Sequence, residues 1–156
     1  MSDIQPQVVV LTPSEWTEIS SPYLAGGRKS ESWEIVSIEI VGKRLSAVIR
    51  MTSTYLSETD DSQFHLSFIT YLEFLSQLLI IYGHVWAGVP KKTREGWVLE
   101  SSTRNINAIR DPEHIQVEME VASIRRVGVP VIAIAKFKVS DKLGGLCTAR
   151  LKAIVP

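Results

Sequence analysis

Glu73 lies in an otherwise apolar run, Leu66–Ala87, LSFITYLEFLSQLLIIYGHVWA, together with Ser67, Thr70 and Gln77 at intervals of three or four residues. On a helix that spacing places the four polar groups on one face. A carboxylate beside Leu72, Phe74 and Leu75 has to be neutralised, paired or used, because an unpaired buried charge is costly. Used, it is an acid–base group: apolar surroundings raise a carboxyl pKa towards neutrality, where it can activate water or move a proton. Paired, it is structural, with Arg104 or Arg110 as partner. Asp61 and His65 stand just before the run. Asp61 is either a second candidate base or an acid that favours the helix start through the dipole. His65 either hydrogen-bonds a carbonyl or pairs with the carboxylate, or makes a structural contact. Tyr55 and Tyr71 could donate to an oxyanion or serve as core with their hydroxyls satisfied. Phe68, Leu72 and Leu75 offer an apolar lining for a chain.

Other chemistries find no support in the residues. His65, His84 and His114 are scattered and the single Cys147 gives no zinc spacing, so neither metal nor cofactor is expected. Gly26-Gly27 and Gly144-Gly145 lack the spacing of a phosphate loop, and there is no Gly-x-Ser-x-Gly elbow. Seventeen basic residues balance seventeen acidic ones, so no strong field steers the chain to nucleic acid or to an anionic membrane. Run 66–87 approaches the length of a membrane span, but Glu73, Gln77 and His84 lie inside it and flanking amphipathic strands need a core helix, so no membrane partner is expected. The first residues have no basic stretch leading into a long apolar run, and one cysteine cannot form an intrachain disulfide. A cytoplasmic location is the expectation.

The elements that must position these groups can be read from periodicity. Residues 1–31, with Pro6, Pro13, Pro22 and Gly26-Gly27, form a leader with a short helix near Ser14–Ile19. A single domain covers 32–156. Ser32–Val41 reads as a β-branched strand, with a turn at Gly42-Lys43 into Arg44–Thr52. The polar stretch 52–63 leads to a helix over 66–87, buried nearly all round. Trp97–Ile109 is a third strand, ended by Asp111-Pro112. Ile115, Val117, Met119 and Val121 alternate with Gln116, Glu118 and Glu120, as a half-buried strand does. After a turn at 125–130, Val131–Val139 repeats the alternation, and Cys147–Val155 closes the chain with Ala149, Leu151 and Ala153 on one side. Short turns make these pairs antiparallel, and a sheet that covers one helix on most sides must curl around it. Its open edges call for pairing across a two-fold axis.

This order resembles the hotdog fold of acyl-thioester enzymes, an α+β architecture in which a curved antiparallel sheet wraps one long helix. The resemblance covers about residues 32–156. It is carried by Ile106–Val155, with Arg110-Asp111-Pro112 at the corner before three amphipathic strands, and by Asp61–Gln77, DSQFHLSFITYLEFLSQ. Asp61, His65 and Tyr71 match the spacing of 4-hydroxybenzoyl-CoA-type thioesterases. Glu73 and Gln77 match the helix Glu and Gln of β-hydroxyacyl-carrier-protein dehydratases. Tyr55, Asp60-Asp61 and Phe64-His65 are closest in texture to FcoT-like long-chain acyl thioesterases. The resemblance implies a dimer, or a dimer of dimers, that acts on a fatty acyl thioester of CoA or acyl carrier protein. It implies Glu73, Asp61 and His65 as catalytic groups and Tyr55, Phe68, Thr70, Tyr71, Leu72 and Gln77 as substrate contacts. It also implies a carbonyl polarised by backbone N–H at the helix start. Thioester hydrolysis comes first among the implied reactions. Hydration, dehydration or amine addition at Cβ of an enoyl thioester in a biosynthetic pathway is the alternative, and an acyl-binding scaffold without catalysis is the third.

Overall fold

The computed structural model describes residues 9–155. Two short helices, α1 (Pro13–Ile19) and α2 (Pro22–Ala25), and a 3-10 turn at Gly27–Ser30 precede the sheet. Thr12 caps α1 with Glu15 in a reciprocal capping box. The strands are β1 (Ser32–Val41), β2 (Arg44–Ser53), β3 (Trp97–Asn107), β4 (Ile115–Arg126), β5 (Val131–Ser140) and β6 (Leu146–Val155). The central helix is α3 (Phe68–Ala87), begun by a Ser67 cap that accepts from the Thr70 N–H. The expected elements are present, with ends shifted by at most five residues.

All strand pairs are antiparallel in the order β1-β2-β4-β5-β6-β3. The third strand therefore does not neighbour the fourth. It crosses to the far edge and pairs with β6. Alternation along β4, β5 and β6 sends Ile115, Val117, Met119, Ala133, Ala135, Phe137, Ala149 and Leu151 into one core, where they meet Tyr71, Phe74, Leu75, Leu78 and Leu79 of α3. These side chains are almost wholly withdrawn from water, each large one contributing about 1.5–3 kcal/mol. Helix α3 is long and apolar enough to cross a bilayer, yet this face is packed on the sheet. The expectation of burial nearly all round is corrected: Phe68, Val85 and Trp86 are 48, 59 and 44% exposed. The sheet curls over one side of the helix only, and a single chain has no second layer for the other.

The start of α3 is fixed from outside the helix. Asp141, in the β5–β6 turn, accepts hydrogen bonds from the backbone N–H groups of Arg110 (2.7 Å), Asp111 (3.0 Å), Leu143 (2.9 Å) and Gly145 (2.7 Å). This ties the Arg110-Asp111-Pro112 corner to the turn. Ile109 then accepts the Leu66 N–H at 2.9 Å, two residues before the helix begins. Gly145 allows the approach, since a Cβ there would stand 2.6 Å from the Ile109 Cα.

Partial burial raises the Asp141 carboxyl pKa, but the four backbone donors together outweigh it and hold the value below the ordinary 3.8. A depressed folded pKa means this contribution is complete above the unfolded carboxyl range and is lost as pH falls through the folded value. Asp141→Ala is expected to cost roughly 2–4 kcal/mol at neutral pH, and Asp141→Asn less. Urea titrations should show the wild-type advantage over Asp141→Asn shrinking as pH falls below about 4. An advantage that persists unchanged into acid would show that the charge plays no part in the knot.

Candidate active site

The polar stripe on α3 is met by the segment before β1. Tyr23 donates to Glu31 Oε2 at 2.8 Å, and Thr70 Oγ1 donates to the same oxygen at 2.7 Å. Tyr23 Oη also lies 2.6 Å from Ser67 Oγ. With Ser67 donating to Tyr23 and accepting from the Thr70 N–H, every hydroxyl in the group is satisfied. Arg28 forms an ion pair with Glu73, and Trp33 Nε1 donates to Glu73 at 3.4 Å. Tyr55, half-buried, lies over Gly27, where a Cβ would come 2.4 Å from its ring, and its ring centroid is 6.2 Å from that of Tyr23. Burial lifts the Tyr23 phenol above its usual range, so it remains a proton donor near neutrality.

Three expectations about the site change here. Glu73 does not stand in an apolar tunnel: its side chain is 46% exposed and held by Arg28. Neither of the partners expected for it, Arg104 or Arg110, is the one used. Thr70 is only 2% exposed and is engaged by Glu31, so the strap occupies the side chain expected to touch substrate. The physical reason is common to all three. Residues 21–31 fold back over the first two turns of α3 and supply the partners that its stripe requires.

A second group sits just before the helix. His65 Nδ1 is hydrogen-bonded to Asp60 Oδ2, and Arg110 Nη1 is 3.9 Å from the same oxygen. The acid beside His65 is thus Asp60; Asp61 occupies an exposed turn position with φ 51°. Tyr71 is wholly buried and donates to Asn105 Oδ1 of β3 at 2.7 Å. Burial raises its phenol pKa as well.

An open groove of about 420 Å³ runs along α3 between Ile69, Leu72, Glu73, Ser76 and Ile80 on one side and Gly96, Trp97 and Val98 on the other. From Ile69 to Ile80 the helix rises about 16 Å. Leu72 and Glu73 share this groove, whereas Gln77 lines an adjoining one of about 560 Å³ with His84, Val85 and Pro90. Phe68 is exposed and Leu75 is core. Among the described residues no cluster of His, Cys, Asp and Glu could hold a metal.

No family model matches the chain, and no curated protein does. Solved structures are similar to it, among them the following three. A variant thioesterase from Pseudomonas aeruginosa is 15% identical, with 96% of this chain and 96% of that chain covered and a TM-score of 0.53. A thioesterase from Haemophilus influenzae is 11% identical, covering 94% and 91%, with a TM-score of 0.51. Zebra fish thioesterase superfamily member 2 is 14% identical, covering 90% and 92%, also at 0.51. This chain has the hotdog fold. At these identities the likeness is one of fold, and the local chemistry has to be read from the chain's own residues.

Tyr23, Arg28, Glu31, Asp60 and Asn105 escaped the sequence reading as site residues. The signal available was the stripe itself: Ser67, Thr70 and Glu73 on one helix face call for polar partners. Gly27→Ala is expected to push the strap off Tyr55 and cost about 1–3 kcal/mol. Hydrogen exchange should then quicken at residues 21–31 while α3 amides stay protected. Unchanged exchange in the strap would show that it does not depend on this close approach.

Proposed function

We propose that this protein hydrolyses a fatty acyl thioester, with His65 as the general base at the start of α3 and the acyl chain along the groove beside it. The observation that carries the reading is the Asp60–His65 hydrogen bond just ahead of a helix N-terminus. A proton on Nδ1 directed at Asp60 leaves Nε2 free to accept a proton, so the carboxylate selects the useful tautomer. N–H groups of the first helical turn favour a developing oxyanion through their direction and the helix dipole. Arg28 neutralises Glu73 at the rim of the groove, which makes that carboxylate a positioning group. The groove's apolar walls, Ile69, Leu72, Ile80, Trp97 and Val98, suit a hydrocarbon chain. The hotdog fold shared with named thioesterases adds support.

The same reading includes a homodimer. Strand β3 is a sheet edge, eleven residues long and exposed almost throughout. Trp97, Leu99 and Ile106 on it, and Phe68, Val85 and Trp86 on α3, leave large apolar side chains open to water. Such an edge invites pairing with a second copy. Sedimentation at micromolar concentration should give a dimer, and a stable monomer there would remove this part of the proposal.

Thiol release from acetyl- through decanoyl-CoA tests the reaction. His65→Gln should reduce turnover by about 10²–10⁴, while Asp61→Asn leaves it unchanged. Longer chains should be favoured by up to about 0.8 kcal/mol per buried methylene. Loss of activity in Glu73→Gln with His65→Gln fully active would transfer the base to the helix carboxylate. Absence of thiol release by the wild type would end the hydrolysis reading. Mass spectrometry of enoyl thioesters with water or an amine would then test addition at Cβ.

A further inference from the structure

On the outer face of the sheet, turned away from α3, β4 carries Glu118 and Glu120, β5 and β6 carry Lys136, Lys138, Arg150 and Lys152, and β3 carries Glu100 and Arg104. Two of these cations have partners: Lys138 lies 3.3 Å from Glu118 and Lys152 lies 2.8 Å from Glu100. The other three, Arg104, Lys136 and Arg150, have no carboxylate at ion-pair distance among the described residues. They line one groove of about 470 Å³, together with the hydroxyl residues Ser102 and Thr148.

The register sets two of these cations against each other within the groove. Lys136 is directly opposite Arg150, and Arg150 is opposite Ser102; one pair along, Thr148 is opposite Arg104. Like charges directly opposite on adjacent strands destabilise a sheet. Glu120 faces Lys136 from the other side but forms no ion pair with it. Glu100 is held below its ordinary pKa chiefly by Lys152 and only then by Arg150, so its charge is already engaged.

We propose that this groove binds a diphosphate-bearing ligand, held by Arg104, Lys136 and Arg150 with hydrogen bonds from the Ser102 and Thr148 hydroxyls. Three cations on three neighbouring strands span about 10 Å, a reach that suits two linked phosphates better than one carboxylate. Guanidinium forks match phosphate oxygens in pairs, and the lysine adds a mobile point charge. An anion in this position relieves the Lys136–Arg150 repulsion. The diphosphate can belong to the CoA part of an acyl thioester or to a separate nucleotide. The site stands apart from the hydrolysis reading, because occupancy can be measured without turnover.

Calorimetric titration of the full chain with coenzyme A, ADP and inorganic pyrophosphate tests it, with pantetheine as the phosphate-free control. Coenzyme A and ADP should bind, pyrophosphate should compete with both, and pantetheine should not. Arg150→Gln and, separately, Lys136→Gln should each weaken diphosphate binding by about tenfold and flatten its salt dependence, with circular dichroism unchanged. A KM increase for acyl-CoA but not for acyl-pantetheine in Arg150→Gln identifies the thioester's own carrier as the source. An unmoved acyl-CoA KM beside weakened ADP binding identifies a separate nucleotide. Failure of all three diphosphates to bind in the millimolar range would overturn the proposal, as would equal affinity in wild type and both variants. Binding of an acidic acyl carrier protein in place of every diphosphate would overturn it too, and would assign the cations to a protein partner.

Discussion

One carboxylate holds the two halves of the sheet in the relation that the helix needs. Asp141 accepts four backbone N–H groups, two from the corner at Arg110 and Asp111 and two from its own turn. Backbone donors in a corner and a tight turn have no ladder partners, so without an acceptor both segments would carry unpaired groups. Because Asp141 satisfies both at once, the Arg110 corner and the β5–β6 turn have one mutual position. Ile109, fixed beside them, accepts the Leu66 N–H, and α3 starts where that bond places it. His65 is the residue before Leu66, and it and Arg110 both approach the Asp60 carboxylate. The chemistry of the helix start is thus inherited from a turn far away in sequence.

The helix itself presents two different problems. Its apolar side is solved by the sheet, through Phe74, Leu75, Leu78 and Leu79 against the inner residues of β4–β6. Its polar stripe cannot be solved that way, since a sheet interior of valine and alanine offers no partners. The strap at residues 21–31 provides them, Glu31 for Thr70 and Arg28 for Glu73. An ion pair this exposed contributes little to stability in itself. Its effect lies in occupying the Glu73 carboxylate, and the hydrolysis proposal therefore rests on the Asp60–His65 pair.

How much of this could be read beforehand follows from the range of each signal. Alternation with a period of two is local, so β4, β5 and β6 and the sides that they bury were legible in Ile115–Val121, Val131–Val139 and Cys147–Val155. The helix was legible for the same reason. The position of β3 was not, because a loop at 108–114 fixes no partner, and the choice of β6 depends on contacts made by the whole sheet. Nor was the strap: Arg28 and Glu31 carry no periodic mark and sit among prolines and glycines that read as irregular. Between Asp60 and Asp61 only backbone conformation decides. Asp60 ends a short 3-10 turn and bonds His65, whereas Asp61 adopts φ 51° in an exposed turn. Residue identity alone favours neither.

The two faces of the sheet answer different selective constraints. Inside, burial fixes each residue within narrow limits of size and polarity, and every strand contributes to one core. Outside, nothing in the fold requires lysine to face arginine, and mixed signs would be cheaper. The β4–β5 pair follows that expectation at Glu118–Lys138, as does β3–β6 at Glu100–Lys152. Lys136, Arg150 and Arg104 depart from it together, around one groove. A single unpaired surface cation is ordinary, but here three without an ion pair converge across three strands, with two hydroxyls in the same register rows, and Glu120 stands opposite only one of them. Core packing places no demand on that face, and a bound anion is the occupant that the proposal assigns to it.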